Sequence, residues 1–302
     1  MSEIVHIRSI AESRKLFGMP PPKHPLVSVM WAKEFPDFDQ YKGLKFNTDL
    51  FMVSLKDGIS GSMGYGRNSY DFSEGTMVFS KPGQVLYSED KKIAEDARGW
   101  MLVFHPDLIR KSELGSAIGN YTFFDYEVHE ALHLSDEEKS ILTDLVLKIE
   151  NEFNQNMDKH SQKLIITNIQ LILDYCLRYY DRQFYVRANL HQDHVADFEQ
   201  LLKAYYNSDQ PFESGLPSVK YCGEMLHMSP NYLSDMLRKE TGKSAKDHIH
   251  AFVINRAKNK LLGTTESVSE IAYELGFEYP QHFSKLFKKR TGLSPVKYRL
   301  QN

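Results

Sequence analysis

A thirteen-residue segment occurs twice near the C-terminal end of the chain, because residues 232–244 return as residues 282–294. The apolar positions, a pair of basic residues, a Thr-Gly step and a final serine are in register between the copies. Each copy follows a proline, Pro230 or Pro280, which suits the first turn of a helix because the missing N–H would have no partner there. Each copy runs to a Thr-Gly step, and glycine readily takes the left-handed conformation that closes a helix. The repeat therefore predicts two equivalent amphipathic helices.

A shorter helix is predicted before each copy. Residues 268–277 have their apolar side chains on one helical face and a stop signal at Gly276. A helix, a tight turn and a second helix form the helix-turn-helix motif, whose second helix enters the major groove of DNA. In the first copy, Cys222 is predicted to correspond to Ala272, and Leu226 to replace the turn glycine.

One long helix is predicted between the two units. Residues 244–262 have apolar side chains at helical spacing and are followed by a Gly-Thr-Thr sequence. A rigid helix of this kind fixes the separation of the two units, so that both could enter successive major-groove segments about 34 Å apart.

Charge is distributed unevenly along the chain. Residues 216–302 hold 14 Lys and Arg against 8 Asp and Glu, whereas residues 1–215 hold 23 basic against 32 acidic residues. The near-neutral total of −3 therefore combines a basic end with an acidic body. Cations clustered on one domain are expected in a protein that binds nucleic-acid phosphates.

The segment from about Leu216 to Tyr298 resembles the double helix-turn-helix domain of the AraC/XylS family of bacterial transcription regulators. The resemblance is carried by residues 226–233, 239–242, 257–262, 271–277, 283–288 and 292–299. It implies a sequence-specific transcription regulator that binds double-stranded DNA, acts more often as an activator than as a repressor, and has RNA polymerase as a partner. At Val253 the family often has an arginine, so a polar contact made by that arginine is not expected here.

Helix geometry and the family pattern indicate which side chains contact DNA. Outward-facing residues at the start of a recognition helix reach base edges, and later basic residues hold phosphates. The predicted set is Ser229, Asn231, Tyr232, Ser234, Asp235, Arg238, Lys239, Tyr279, Gln281, His282, Ser284, Lys285, Lys288, Lys289 and Arg290. Asn231 and Gln281 suit adenine, and Lys285 suits guanine. Asp235 is expected either to accept a hydrogen bond from cytosine or to pair with a basic residue of its own helix.

The N-terminal half of the chain is predicted to be mostly β. Between residues 26 and 104, short apolar runs alternate with turn clusters, a pattern typical of a small β-sandwich or barrel. The predicted strands are residues 26–31, 47–55, 58–66, 76–80 and 99–104. Residues 74–84 resemble the central strand and turn of the cupin-like sensor barrel that often precedes the family's DNA-binding domain. Candidates for lining a pocket for a small-molecule effector are Met52, Met63, Tyr65, Tyr70, Phe72, Met77, Tyr87 and Trp100, although the same residues suit an ordinary packed core.

Two long helices are predicted to follow, over residues 136–156 and 161–180. The second is apolar on more than one face, which indicates deep burial or contact with another subunit. The family resemblance favours a homodimer through this helix. We therefore expect a multidomain chain: a cupin-like effector-sensing domain (1–134), a helical pair (135–182), a linker (183–195) and an all-α DNA-binding domain (196–302).

Metal chemistry is not expected. Residues 129–133 match the H-E-x-x-H pattern, but a capping box at Ser135 and Glu138 predicts that the helix begins after both histidines. The strands also lack the His-x-His pair that a metal-using cupin needs, since no histidine occurs between His24 and His105. We therefore predict no cofactor. The alternatives are a metal-dependent cupin-like or zincin-like enzyme and a DNA-binding regulator without a ligand.

Cysteine usage and hydropathy indicate a cytoplasmic, soluble protein. The two cysteines, Cys176 and Cys222, lie in apolar helical contexts and do not suggest a disulfide framework. No apolar run approaches the length of about 20 residues that a membrane-spanning helix requires.

Overall fold

The computed structural model describes residues 4–35, 41, 44–65, 75–94, 96–127, 130–188 and 194–301, without the side chains of residues 59–65, 87–92, 185–188 and 301. The chain divides into two compact units, Met1–Gln183 and Phe184–Asn302. Each unit is described by itself below.

The first unit contains two β-sheets. Its strands are β1 (Ile4–Ile7), β2 (Val27–Trp31), β3 (Lys45–Thr48), β4 (Phe51–Lys56), β5 (Ile59–Tyr65), β6 (Thr76–Ser80), β7 (Val85–Ile93), β8 (Trp100–Phe104) and β9 (Leu132–His133). One sheet has the order β1-β3-β7-β5 and the other the order β2-β8-β4-β6-β9. All pairings are antiparallel except that of β1 with β3.

The sheets differ in detail from the strands that the sequence predicts. The predicted strand over residues 47–55 is interrupted at Asp49 and Leu50, so that its two parts, β3 and β4, belong to different sheets. β1 and β7 are not among the predicted strands. The described strands form two sheets with a shared core. The cupin-like barrel stays a prediction.

Helices complete the first unit. They are α1 (Ile10–Leu16), α2 (Pro106–Ile109), α3 (Glu113–Ala117), α4 (Asp136–Asn154) and α5 (Ser161–Ala188), which continues into the second unit. The predicted capping box is confirmed, because the Ser135 hydroxyl accepts from the Glu138 N–H and the Glu138 carboxylate accepts from the Ser135 N–H. α5 extends to Ala188, so the first residues of the predicted linker over 183–195 are helical. Phe184 supports the extension, because its ring is buried and contacts that of Tyr232.

The five-stranded sheet has two buried faces of different composition. Alternate residues of a strand point to opposite faces. On one face, Met52 and Val103 join a core cluster with Ile7 and Phe46 of the other sheet. On the opposite face, the Trp100 indole N–H donates to the Thr143 hydroxyl of α4 at 3.0 Å. We call these the inner face and the helix-covered face.

The second unit is all-helical. It consists of α6 (His194–Tyr206), α7 (Gln210–Ser214), α8 (Val219–Leu226), α9 (Pro230–Thr241), α10 (Ala245–Gly263), α11 (Val268–Glu274), α12 (Pro280–Thr291) and α13 (Pro295–Gln301). The duplicated segment is confirmed as the matching helices α9 and α12, which close at Gly242 and Gly292 with φ of 76° and 81°. α10 is the predicted connecting helix. Within the described residues, no helix combines the length and apolar character that a bilayer span requires.

Candidate nucleic-acid interface

Each helix-turn-helix unit consists of a pair of packed helices, and both pairs are held by α10. α8 packs against α9, α11 packs against α12, and α10 contacts α9, α11 and α12. Leu233 and Leu237 of α9 are fully buried, as are Phe283 and Phe287 of α12. These residues form the buried face of each helix, so that the opposite face of the helix is presented to solvent.

The turns of the two units differ in length by one residue. Ser218 and Ser267 cap the first helix of each unit with their side chains and are 49 positions apart in the printed sequence. The second helices begin at Pro230 and Pro280, which are 50 positions apart. The turn of the second helix-turn-helix unit therefore contains one additional residue.

This difference corrects the predicted alignment of the first helices. The Met228 N–H donates to the Gly223 carbonyl at 2.8 Å, and the Phe277 N–H donates to the Ala272 carbonyl at 2.9 Å. These bonds are equivalent, so Gly223 corresponds to Ala272, and the prediction of Cys222 at that position is wrong. The reason is close packing: a Cβ on Gly223 would lie 2.4 Å from the Met228 carbonyl oxygen.

The position of the turn glycine is corrected in the same way. His227, not Leu226, corresponds to Gly276, because both have the left-handed backbone conformation, with φ of 57° and 86°. At Gly276 the space is also restricted, since an added Cβ would lie 2.6 Å from the backbone carbon and oxygen of Gly215. His227 is exposed and accepts the conformation at some cost in strain.

The outer face of α12 is strongly basic. Its predicted DNA-contacting residues are exposed, except that Ser284 is half-buried: Gln281, His282, Lys285, Lys288, Lys289 and Arg290. Tyr279, at the start of the helix, is 45% exposed, and its ring contacts His282. α12 contains four basic residues and no acidic residue. A helix of this kind can hold several phosphates at once.

The basic residues of α12 differ in how free they are. Lys285, Lys288 and Lys289 form no ion pair within the part of the chain that the structure describes. Arg290 pairs with Asp247 in the first turn of α10. Arg290 and the Ser244 hydroxyl lower the pKa of Asp247 to about 2. Sequence reasoning missed Asp247, although the Ser-x-x-Asp spacing at the start of a helix could have indicated a fixed carboxylate.

α9 has a different electrostatic character, because it contains two basic and two acidic residues. The Arg238 guanidinium donates to the Asp235 carboxylate at 2.9 Å, one helical turn away. The Asp235 side chain is 19% exposed, whereas that of Arg238 is 58% exposed. Of the two predicted roles of Asp235, the ion pair within its own helix is therefore the one that the structure contains.

Two of the predicted DNA-contacting residues are corrected by their burial. Ser229 is 2% exposed and caps α9, because its hydroxyl accepts a hydrogen bond from the Tyr232 N–H. Tyr232 is 4% exposed, and its ring contacts that of Phe184 in the same unit. Both side chains stabilise the helix. Asn231 and Ser234 are half-buried, and Arg238 and Lys239 are exposed.

The predicted effector-binding residues are separated by the structure. Met52 lies on the inner face of the five-stranded sheet, but Met77 and Trp100 lie on the helix-covered face and are fully buried. The set therefore does not line one pocket, since strand alternation sends its members to opposite sides. Tyr70 and Phe72 lie outside the described residues, as do the side chains of Met63, Tyr65 and Tyr87.

A small cavity lies on the helix-covered side of the first unit. It is lined by Met77, Val78, Phe79, Phe123, Tyr126, Glu127, Ala131 and Tyr180, and its volume is about 20 Å³. This volume is enough for about one water molecule. The aromatic rings around it contact one another, with centroids of Phe79 and Phe123 4.4 Å apart. The cavity is therefore part of a packed aromatic core.

The H-E-x-x-H segment lies directly before α4. His129 lies outside the described residues, and His133 belongs to β9. The helix begins at Asp136, after both histidines, as predicted. Among the described residues, no group of three or more His, Cys, Asp or Glu side chains is arranged to hold a metal ion.

Comparison with known proteins identifies the C-terminal region. Residues 222–301 match the family model described as a helix-turn-helix domain. The uncharacterized HTH-type transcriptional regulator YtdP of Bacillus subtilis is 37% identical over 90 residues, which cover 30% of this chain and 12% of the relative. The uncharacterized transcriptional regulatory protein YesN of the same organism is 38% identical over 85 residues, which cover 27% of this chain and 23% of the relative. The chain thus matches only a small part of the length of these relatives.

A solved structure matches part of the chain. The C-terminal domain of the two-component response regulator yesN from Fusobacterium nucleatum is 28% identical, with a TM-score of 0.32, over 36% of this chain and 99% of that chain. The relatives are transcription regulators, and the matched region contains the duplicated motif. Residues 222–301 of this chain therefore contain a helix-turn-helix domain similar to those of known transcription regulators.

Proposed function

We propose that the protein is a sequence-specific DNA-binding transcription regulator that docks α9 and α12 on double-stranded DNA. The observation that carries the proposal is the outer face of α12, where Lys285, Lys288 and Lys289 are exposed opposite a buried aromatic face. Unpaired cations along one side of a helix are suited to the phosphates that border a groove. The relatives' description as transcription regulators supports the same function.

Position along α12 divides its contacts into two kinds. Gln281, Ser284 and Lys285 lie in its first half, where a recognition helix comes close to base edges. Lys288 and Lys289 lie one turn further on, where side chains reach the backbone. In this proposal, the first group selects the sequence and the second supplies affinity for any duplex.

We predict different effects of removing a cation from the two positions. In the full-length protein, Lys285→Ala should weaken binding to a selected duplex and relax preference at one base pair, by about 1–3 kcal/mol. Lys289→Ala should weaken binding to selected and unrelated duplexes equally and lower the salt slope by about 0.9. Binding is measured by fluorescence anisotropy at several salt concentrations, with duplexes recovered from a randomised library.

Equal effects of Lys285→Ala and Lys289→Ala on both duplexes would show that the division into base and phosphate contacts is wrong. If the wild-type chain binds neither the recovered nor the unrelated duplex at low ionic strength, DNA binding itself is refuted.

We also propose that a small polar molecule binds the first unit and tunes DNA binding. The inner face of the five-stranded sheet supports this, because it contains the buried polar residues Ser54, Lys56, Thr76 and Ser80. The Ser80 hydroxyl is fully buried and has no hydrogen-bond partner within the described residues. A buried polar group without a partner is costly, and a ligand could supply that partner.

Regulation in this proposal is a linkage effect. A ligand that binds one arrangement of the first unit more tightly shifts the population that can place α9 and α12 on DNA. Activation through contact with RNA polymerase is the proposed output, because it is the commoner habit of the family.

Ligand binding is expected to raise the melting temperature of the first unit. A ligand at a concentration one hundred times its Kd adds about 2.7 kcal/mol of stability. Both tryptophans, Trp31 and Trp100, lie in the first unit, so intrinsic fluorescence reports its unfolding. The wild-type protein and a Ser80→Ala variant are compared across a panel of small polar metabolites. A panel that leaves the wild-type midpoint unchanged would favour the ligand-independent regulator instead.

We further propose that the protein forms a homodimer through α5. Leu164 and Leu171 are exposed by 47% and 41%, one heptad apart, and the half-buried Asn168 and Tyr175 lie on the same helical face. These four residues, the α5 stripe, follow the alternating spacing of four and three residues found in coiled coils. The opposite side of α5 is filled by fully buried residues such as Ile169 and Leu173. The stripe is therefore a second apolar surface that a second copy of the chain could cover.

A further inference from the structure

We infer that the two helix-turn-helix units bind DNA unequally: α12 supplies more of the salt-dependent affinity than α9, because Asp235 restrains Arg238. This inference rests on the proposed DNA binding and concerns how that binding is divided. It follows from matched positions of the repeat, from one ion pair and from the exposure of its partners.

The matched positions differ in charge rather than in shape. Arg238 and Lys239 of α9 correspond to Lys288 and Lys289 of α12, so these two positions are basic in both units. At the other two charged positions, α9 has an acid where α12 has a base: Asp235 corresponds to Lys285, and Glu240 corresponds to Arg290. α9 is therefore neutral overall, and α12 has a charge of about +4 from its Lys and Arg side chains.

In α9, Asp235 forms an ion pair with Arg238, which is the more exposed of the two side chains. The Asp235 carboxylate is largely covered and lies 2.9 Å from a guanidinium nitrogen of Arg238. A pair whose guanidinium is largely exposed to solvent contributes little to folding stability. It nevertheless competes with DNA, because a phosphate that binds Arg238 has to displace the Asp235 carboxylate from the guanidinium.

α12 does not have this competition along most of its length. Lys285, Lys288 and Lys289 have no ion pair among the described residues, and only Arg290 is engaged, by Asp247 of α10. Each cation placed on a phosphate of duplex DNA contributes about 0.9 to the slope of log affinity against log salt. The two lysines assigned to phosphates therefore account for a slope of about 1.8, while the Asp235–Arg238 pair contributes none.

The first helix-turn-helix unit then discriminates between sequences with uncharged side chains of α9. Asn231 and Ser234 lie near the start of α9, where side chains approach base edges, and both offer hydrogen bonds without net charge. The second helix-turn-helix unit supplies the larger share of the affinity, and the first helix-turn-helix unit tests the sequence beside it. Asp235 in this respect limits the sequence-independent affinity of α9, because it lowers affinity for every duplex alike.

Three full-length variants test the inference. Lys288→Gln/Lys289→Gln removes two cations from α12, Asp235→Asn/Arg238→Gln replaces the ion pair of α9 by neutral groups, and Asp235→Asn alone releases Arg238. Binding is measured as a function of salt on a duplex recovered by the wild-type protein and on an unrelated duplex of equal length. Thermal unfolding followed by circular dichroism checks that each variant is folded.

The expected results differ in sign. The α12 variant should lower the salt slope by about 1.8, and the neutralised pair should leave it unchanged within about 0.4. Asp235→Asn should tighten binding to both duplexes and raise the slope by about 0.9, because Arg238 becomes available to a phosphate.

Other outcomes separate the possible failures. A slope loss near 0.9 in the neutralised pair would show that Arg238 already holds a phosphate, and would overturn the inference. Loss of binding to the recovered duplex alone in Asp235→Asn would make Asp235 a base-contacting residue and would also overturn it. Both results require a wild-type protein that binds DNA, whereas failure of the wild type on both duplexes refutes the proposed function instead.

Discussion

Gly276→Ala is expected to destabilise the second unit by about 3–5 kcal/mol, which is among the largest effects of any single methyl group in the chain. The φ of 86° is unfavourable for alanine, and the added Cβ would lie 2.6 Å from the backbone of Gly215. The neighbouring groups cannot rotate away, because they are backbone atoms of a residue that itself has φ of 80°. The turn between α11 and α12 would have to move, and the basic face of α12 would move with it.

The two units can be followed separately in this experiment. Both tryptophans lie in the first unit. In urea unfolding, Gly276→Ala should therefore lower the midpoint of the transition of the second unit, followed by circular dichroism, and leave the midpoint followed by tryptophan fluorescence unchanged. Gly292→Ala is the matched control: its φ is 81°, but nothing lies within 4 Å of an added Cβ. It should cost only about 1–2 kcal/mol, the penalty of the left-handed conformation alone. Equal losses in the two variants would mean that the close approach of Gly215 has no energetic weight.

Leu171→Glu is expected to convert the proposed dimer into a monomer. Leu171 lies at the centre of the α5 stripe and is 41% exposed in the single chain. A dimer with a symmetric contact there would bury two carboxylates without partners, weakening association by at least about a hundredfold, or about 2.8 kcal/mol. The variant should remain folded, because the side chain points to solvent in the monomer.

Leu177→Glu provides the control for the dimer. Leu177 is on the same helix and is also 41% exposed, but six residues of helical rotation place it about 120° away from Leu171. Light scattering coupled to size-exclusion chromatography should give a monomer for Leu171→Glu and a dimer for Leu177→Glu. A wild-type monomer at all concentrations would remove α5 as an interface, and dissociation by both variants would place the contact elsewhere on the helix.

Local signals explain why the helices of the second unit were predictable from the sequence. Pro230 and Pro280 begin α9 and α12, and Gly242 and Gly292 close them in the left-handed conformation. These signals act within a few residues of the helix end, so they operate before any tertiary contact forms. The beginning of α4 at its capping box was predictable for the same reason.

The alignment of the two turns was not predictable in the same way. Matching α9 with α12 suggests a constant offset along the repeat, but the turn of the second helix-turn-helix unit has one more residue. Only the hydrogen bonds of Met228 and Phe277 identify Gly223 and Ala272 as equivalent. Gly223 is required by the approach of the Met228 carbonyl, a contact that leaves no periodic signal in the sequence.

The sequence by itself determined the duplicated helix pairs, their connecting helix and the basic charge of α12, because caps, periodicity and charge are local properties. Tertiary structure decided which side chains are available. Both faces of the five-stranded sheet are buried, so apolar content could not distinguish Met52 on the inner face from Trp100 against α4. Likewise, Tyr232 became a core residue, and Asp235 became the partner of Arg238. Such assignments depend on which surfaces meet in three dimensions, and residue type alone does not specify that.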